Sequence, residues 1–179
     1  MRQTLLLTLI LAGTATTVAA EPVRVICYAG TSSAKVGAQE MTGRNVVERT
    51  YDPGKSEIRQ RSWSDKDPEK EILLTGKVDA KAGTVEFDQP SMKLHGTGKL
   101  DGKPWHWTSL KMTMTNPSMT LDSQSTMSDT KIHQDATMSN GGTQVGTVTG
   151  DLTAFDCSQL EAKKKELATP SDAKSTPKK

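Results

Sequence analysis

Between Val23 and Phe155 apolar and polar residues alternate singly in short runs, and that period of two is the signature of strands with one buried and one wetted face. Val23, Val25 and Cys27 alternate with Arg24. Ile72, Leu74, Gly76 and Val78 alternate with Glu71, Thr75 and Lys77, and Val85 and Phe87 with Thr84, Glu86 and Asp88. Turn chemistry separates the runs. Asp52-Pro53-Gly54-Lys55 suits a tight turn, Asp101-Gly102 reads as a two-residue type I′ hairpin, and Asn140-Gly141-Gly142 is a glycine-rich turn. Asn116-Pro117 joins two further runs. About ten strands result, with no helical period between them, and short connections make neighbouring strands antiparallel. The fold class predicted is therefore all-β, an antiparallel up-and-down meander.

A meander of that length must hide its two edges by closing into a barrel or folding into a sandwich. Closure would bring the first and last strands together, and the two cysteines, Cys27 and Cys157, lie near opposite ends of the patterned segment. The preferred reading is a closed barrel fastened at its seam by a Cys27–Cys157 disulfide. Two free buried thiols are the alternative; without a CxxC, a catalytic thiol is disfavoured.

The N-terminus specifies an address. Arg2, the apolar run Leu5, Leu6, Leu7, Leu9, Ile10 and Leu11, and small residues Val18, Ala19 and Ala20 make the three parts of a secretory signal, with cleavage before Glu21. Leu11-Ala12-Gly13 is followed by Thr14 and not Cys, which argues against a lipid anchor, and no later run is long enough to span a bilayer. The expected divisions are a signal peptide over 1–20, a barrel over 21–157, a short helix over 158–168 and a disordered tail over 169–179. In the helix Ser158 and Glu161 read as a capping box, with Leu160, Lys164 and Leu167 on one stripe. The tail is Pro, Ser, Asp and Lys, too polar to fold. A formal net charge of +2, its excess concentrated in C-terminal lysines such as Lys163, Lys164 and Lys165, argues against a nucleic-acid partner. The expected location is periplasmic or secreted, with oligomeric state left open.

The unusual chemistry is gathered in residues 92–127: Met92, His95, Trp105, His106, Trp107, Met112, Met114, Met119 and Met127. With Asp101-Gly102 at a hairpin tip, Trp105 would face Gly98 and Trp107 would face Gly96, large over small, as a barrel interior requires. Apolar parity then changes, since Leu110, Met112 and Met114 are even-numbered, and a β-bulge near Thr108-Ser109 would restore them to the inner face. With Asn116-Pro117 at the next tip, Met114 faces Met119 and Met112 faces Leu121. Trp105, Trp107, Met112, Met114, Met119 and Leu121 are thus the expected interior lining, with His95 and His106 pointing outward. Such a lining supports three readings: a filled core with methionine as adaptable packing, a cavity for a hydrophobic small molecule or lipid, or a Cu(I) site of thioethers at Met112, Met114 and Met119.

Met112-Thr113-Met114 after Trp107 is similar to the Met-x-Met-and-Trp site of small periplasmic copper/silver metallochaperones over fewer than ten residues. In that family the Trp precedes the first Met by three positions, not five, and a His completes the site. In architecture alone residues 23–167 resemble the lipocalin-like secreted bacterial barrels, although the Gly-x-Trp opening of true lipocalins is absent. His95, His106 and His133 share no metal-ligand spacing, and Gly-x-Ser-x-Gly, HExxH and a phosphate-binding glycine loop are all missing. The expectation is a non-enzymatic extracytoplasmic binding domain for a hydrophobic small molecule or lipid, with no cofactor. The alternatives are a periplasmic Cu(I)-binding protein or a structural envelope protein with a solid core.

Overall fold

In the computed structural model, which describes residues 21–89, 93–114 and 119–169, the alternation becomes ten strands. They are β1 (Arg24–Val36), β2 (Gln39–Asp52), β3 (Glu57–Ser64), β4 (Asp67–Asp79), β5 (Thr84–Gln89), β6 (Leu94–Leu100), β7 (Trp107–Met114), β8 (Met119–Met127), β9 (Lys131–Asn140) and β10 (Thr143–Phe155). Every strand pairs antiparallel with its sequence neighbours, and β1 also pairs with β10 from Cys27↔Phe155 to Val36↔Gly146, closing the barrel. Among the described strands none is left as a terminal strand of the sheet. The last residues of β1, β3, β5, β7 and β9 and the first of β2, β4, β6, β8 and β10 lie at one end, here termed the mouth. The opposite strand ends lie at the floor.

Alternation along the strands decides which side chains face inward. Tyr28, Val47, Tyr51, Ile58, Leu74, Val78, Val85, Phe87, Trp107, Leu110 and Ile132 are buried inside the barrel. Gly76 makes room for the Phe87 ring, because a Cβ there would stand 2.7 Å from Phe87 Cε1. Phe87 in turn meets Trp107 edge to face at 4.9 Å between ring centres. Gly141 and Gly142 both have positive φ, 57° and 84°, as the two-residue turn after Asn140 demands.

The chain from 101 to 106 departs from the expected two-residue hairpin. Pro104 has no N–H to give a ladder and fixes its own φ, and β7 begins only at Trp107. The connection is instead a compact loop held by His106 N–H donating to the Lys103 carbonyl at 3.1 Å. The pairing therefore shifts. Leu100 faces Trp107, Gly98 faces Leu110 and Gly96 faces Met112. Thr108 is the extra residue between Trp107 and Ser109, which places the bulge where the parity change requires it. Gly96 lies under Met112 and Gly98 beside Val85 and Leu110, not beneath the two indoles. Met114↔Met119 and Met112↔Leu121 pair as expected, although Met92 and the Asn116-Pro117 tip lie outside the described residues.

After β10 a 3-10 turn (Cys157–Gln159) leads into α1 (Leu160–Ala168). The capping box does not form. Asp156 caps the turn, its carboxylate accepting from Ser158 N–H at 2.9 Å, while Glu161 pairs with Lys164 at 3.0 Å. Asp156 already supplies the cap from an earlier position, and the 3-10 turn that contains Ser158 moves it off the cap position of α1. α1 lies on the outer wall, where Leu160 and Leu167 cover Cys27, Val46 and Trp63. The Lys164 ammonium sits 4.5 Å from the centre of the Trp63 ring, and Arg44 donates to the carbonyls of Leu167 and Thr169 at 3.1 and 2.6 Å. Beneath the helix Cys27 and Cys157, separated by 130 positions in sequence, form the disulfide, with Cα atoms 5.2 Å apart. Residues 1–20 and 170–179 lie outside the described residues.

Candidate binding site

The interior divides into a mouth, a middle and a floor. At the mouth, the last residues of β7 and the first of β6 and β8 bring Leu94, Met112, Met114, Met119 and Leu121 together with Met138 and Val148 around an apolar pocket of about 240 Å³. Met112 and Met114 come from one strand, spaced by two so that both face inward, and the β7–β8 register sets Leu121 and Met119 opposite them. Four unbranched thioether side chains give this pocket a soft, adaptable wall.

In the middle a second cavity, also of about 240 Å³, has a mixed lining in which Asn45, Gln60, Ser62 and Gln134 stand among Val47, Ile132, Val148 and Leu152. Val148 lines both spaces. The polar groups are partly engaged. Gln134 Nε2 donates to Ser123 Oγ at 2.9 Å, Asn45 Nδ2 to Ser32 Oγ at 2.7 Å, and Gln60 Oε1 accepts from Arg49 at 2.6 Å.

Arg49 belongs to the floor. On β2 it shares parity with Val47 and Tyr51, so its side chain points inward and is 3% exposed. Its guanidinium lies 3.8 Å from the centre of the Trp107 ring and 5.8 Å from that of Tyr28. Burial lowers its pKa to about 10, so it remains a cation at neutral pH. The loop 101–106 closes the barrel below it. There Asp129 accepts from Arg24 at 2.6 Å and from Trp105 Nε1 at 3.2 Å, and its Oδ1 lies 3.1 Å from His106 Nε2. His106 Nδ1 lies 3.4 Å from Asp101. Burial pushes the His106 imidazole below its ordinary pKa despite the two carboxylates. For Asp129 burial acts upward, but the Trp105 hydrogen bond and the charges of Arg24 and Lys103 outweigh it and hold the carboxyl below its ordinary range.

The six expected lining residues are therefore divided. Met112, Met114, Met119 and Leu121 meet in the mouth pocket. Trp107 is inside but at the floor, against Phe87, and Trp105 lies half-buried in the loop under the Arg24 guanidinium, 4.4 Å from its ring centre. His106 is buried at the floor and does not point outward, because the loop folds it back over the barrel end. His95 is exposed, as expected, and His133 sits on the outer face bonded to Asp151 and Asp135 at 2.7 and 3.1 Å. No histidine reaches the methionine pocket. Among the described residues no group of three His, Cys, Asp or Glu side chains could hold a metal ion. The strand parity that places Val47 inside also places Arg49 there, and the same rule would have found Gln60 and Gln134. Met138 follows from the same parity through its pairing with Leu121 on β8, whereas Val148 meets the pocket from β10, the strand that closes the barrel on β1.

Fold and site together define a closed ten-stranded barrel with a lined interior, the helix α1 on its outer wall and a disulfide at its seam. No family model matches the sequence, and no curated protein matches it. Among solved structures, a protein of unknown function of the DUF3598 family from Nostoc punctiforme superposes with a TM-score of 0.51 at 12% identity. The match covers 72% of this chain and 46% of that one, so the chain spans about half the length of this neighbour. An S-type phycobiliprotein lyase from Guillardia theta matches with a TM-score of 0.46 at 9% identity, over 73% of this chain and 86% of that one. At such identities the first likeness is one of fold alone.

Proposed function

We propose that the protein is a non-enzymatic, extracytoplasmic binding barrel for a hydrophobic small molecule or lipid. The observation that carries this reading is the apolar pocket at the mouth, walled by Leu94, Met112, Met114, Met119, Leu121 and Met138 and adjoined through Val148 to a second cavity. Small-molecule sites are concave, mostly apolar and provided with a few placed polar groups, and the two spaces divide those properties between them. The disulfide supports an oxidising compartment, as does the secretory pattern of residues 1–20. No helix among the described residues is long and apolar enough to cross a membrane.

Titration with 1-N-phenylnaphthylamine, an uncharged apolar fluorophore, tests the reading. Saturable enhancement near one equivalent is expected, weakened about tenfold or more by Met114→Glu, which sets a charge into the pocket wall. An absence of saturable binding would leave a structural protein with a solid core.

One observation favours a second reading. Met112, Met114, Met119 and Met138 line a single pocket, and clustered thioethers are soft ligands that suit Cu(I). Competition with a bicinchoninate chelator would show tight Cu(I) uptake, abolished when the four are replaced by leucine; equal uptake by wild type and variant excludes it.

A further inference from the structure

Among the described residues the barrel interior contains a positive charge, Arg49, with no negative one paired to it. Arg49 donates to Gln60 Oε1 at 2.6 Å, to the Trp105 carbonyl at 3.4 Å and to Met127 Sδ at 3.3 Å, all of them uncharged. Its Nε is buried with no hydrogen-bond partner. Among the described residues no carboxylate pairs with it; Asp129, at the same end, is bound by Arg24, Trp105 and His106. The rings of Trp107 and Tyr28 attract the cation but do not neutralise it. Buried charges in folded proteins are ordinarily paired, because desolvation penalises an isolated ion heavily.

Gln60 connects this charge to the cavity. Its Oε1 is fixed by the guanidinium, so its amide N–H groups remain for an occupant of the space that Gln60 itself lines. The cavity lining includes no acidic residue, and its apolar side, through Val148, meets the methionine pocket. A guest that brought an anion to Gln60 would supply the missing counter-charge from inside the barrel.

Resting on the reading of the barrel as a binding domain, we infer that its ligand is a carboxylate-bearing amphiphile. The head is received by the Gln60 amide in front of Arg49, and the tail runs toward Met112, Met114, Met119 and Met138 at the mouth. The carboxylate gains a charge-assisted hydrogen bond inside the barrel, and the tail gains apolar contact.

The test displaces 1-N-phenylnaphthylamine from the purified protein with decanoate, 1-decanol and methyl decanoate, which share a tail and differ in head. Decanoate is expected to bind about tenfold or more tightly than either neutral analogue, the interval that one charge-assisted contact supplies. In Gln60→Leu and Arg49→Met the three ligands should bind alike. Equal binding of all three by the wild type would overturn the carboxylate inference while leaving the apolar site standing. Failure of all three to displace a bound probe would overturn the carboxylate inference alone, whereas failure of the probe to bind would overturn both. Should Arg49→Met not fold, Gln60→Leu decides alone, and a decanoate preference retained in it refutes the proposal.

Discussion

Replacing Gly76 by alanine should destabilise the barrel, although alanine is ordinarily the better residue in a strand. The new Cβ would stand 2.7 and 2.8 Å from two atoms of the Phe87 ring and 2.9 Å from Val85 Cγ2, where ordinary contact begins near 3.4 Å. Phe87 is fully buried and seated edge-on against Trp107, which carries the Arg49 guanidinium on its face. The ring cannot retreat without moving that stack. Overpacking of this kind costs about 1–3 kcal/mol. Removing glycine's excess backbone freedom returns about 0.5–1 kcal/mol. The net expectation is a loss of about 1–2 kcal/mol, or a fall of about 3–6 °C in Tm for a domain of this size. Urea unfolding of wild type, Gly76→Ala, Phe87→Leu and the double variant measures the effect as a cycle. Leucine is smaller than phenylalanine and mobile at χ2, so in the Phe87→Leu background the alanine should cost less, only the Val85 contact remaining, a coupling of about 1 kcal/mol. A Gly76→Ala protein as stable as wild type, or an equal loss in both backgrounds, would show that Phe87 yields freely and that the stack is not rigid.

Opening the Cys27–Cys157 bridge, which spans 130 positions, should destabilise the protein by up to about 5 kcal/mol on chain entropy; melting with and without reductant reads it, and a change below about 1 kcal/mol would refute the estimate. Leu167→Ala on α1 should cost about 2–3 kcal/mol because its side chain is buried on the outer wall, whereas truncation after Thr169 should leave chemical denaturation unaltered; equal effects would mean the helix does not dock. His106 has a folded pKa below its ordinary value, so as pH falls through about 6.5 the unfolded chain gains a proton that the folded barrel resists, and stability declines. His133, raised by Asp151 and Asp135, acts in the opposite sense, adding stability below about 6.5 that is lost as pH rises through its folded pKa, but it is exposed and its contribution is screened. Urea midpoints between pH 7.5 and 5.5 should therefore fall less for His106→Asn than for wild type, and parallel curves would refute the assignment.

What could be read in the sequence was what repeats locally. Strand alternation around Val85 and Phe87, the glycine turn at Asn140 and the pairing of Met112 with Leu121 all follow from a period of two and the adjoining turn. The parity change at Leu110 was enough to place the bulge at Thr108. The floor was not legible in that way. Arg24, Asp101, Trp105, His106 and Asp129 meet there from an N-terminal strand and two separate connections, and nothing in their spacing announces the meeting. Pro104 was the one local warning that the chain could not turn in two residues. Arg49 reads as a surface charge by residue type and as an interior one by parity; parity decides, because the strand has only two faces.

The seam has a consequence for how the chain reaches this state. Nine of the ten strand pairings join neighbours in sequence and can form as local hairpins on a microsecond scale. The tenth, β1 with β10, waits for the final strand. A chain delivered N-terminus first would present Cys27 early and Cys157 only after every strand had emerged. Until then the Cys27 thiol has no cysteine of its own chain to join, and the edges of β1 and of the newest strand stand open to other chains. Closure is thus reserved for the complete molecule, and an oxidant acting too soon would couple two unfinished copies through Cys27.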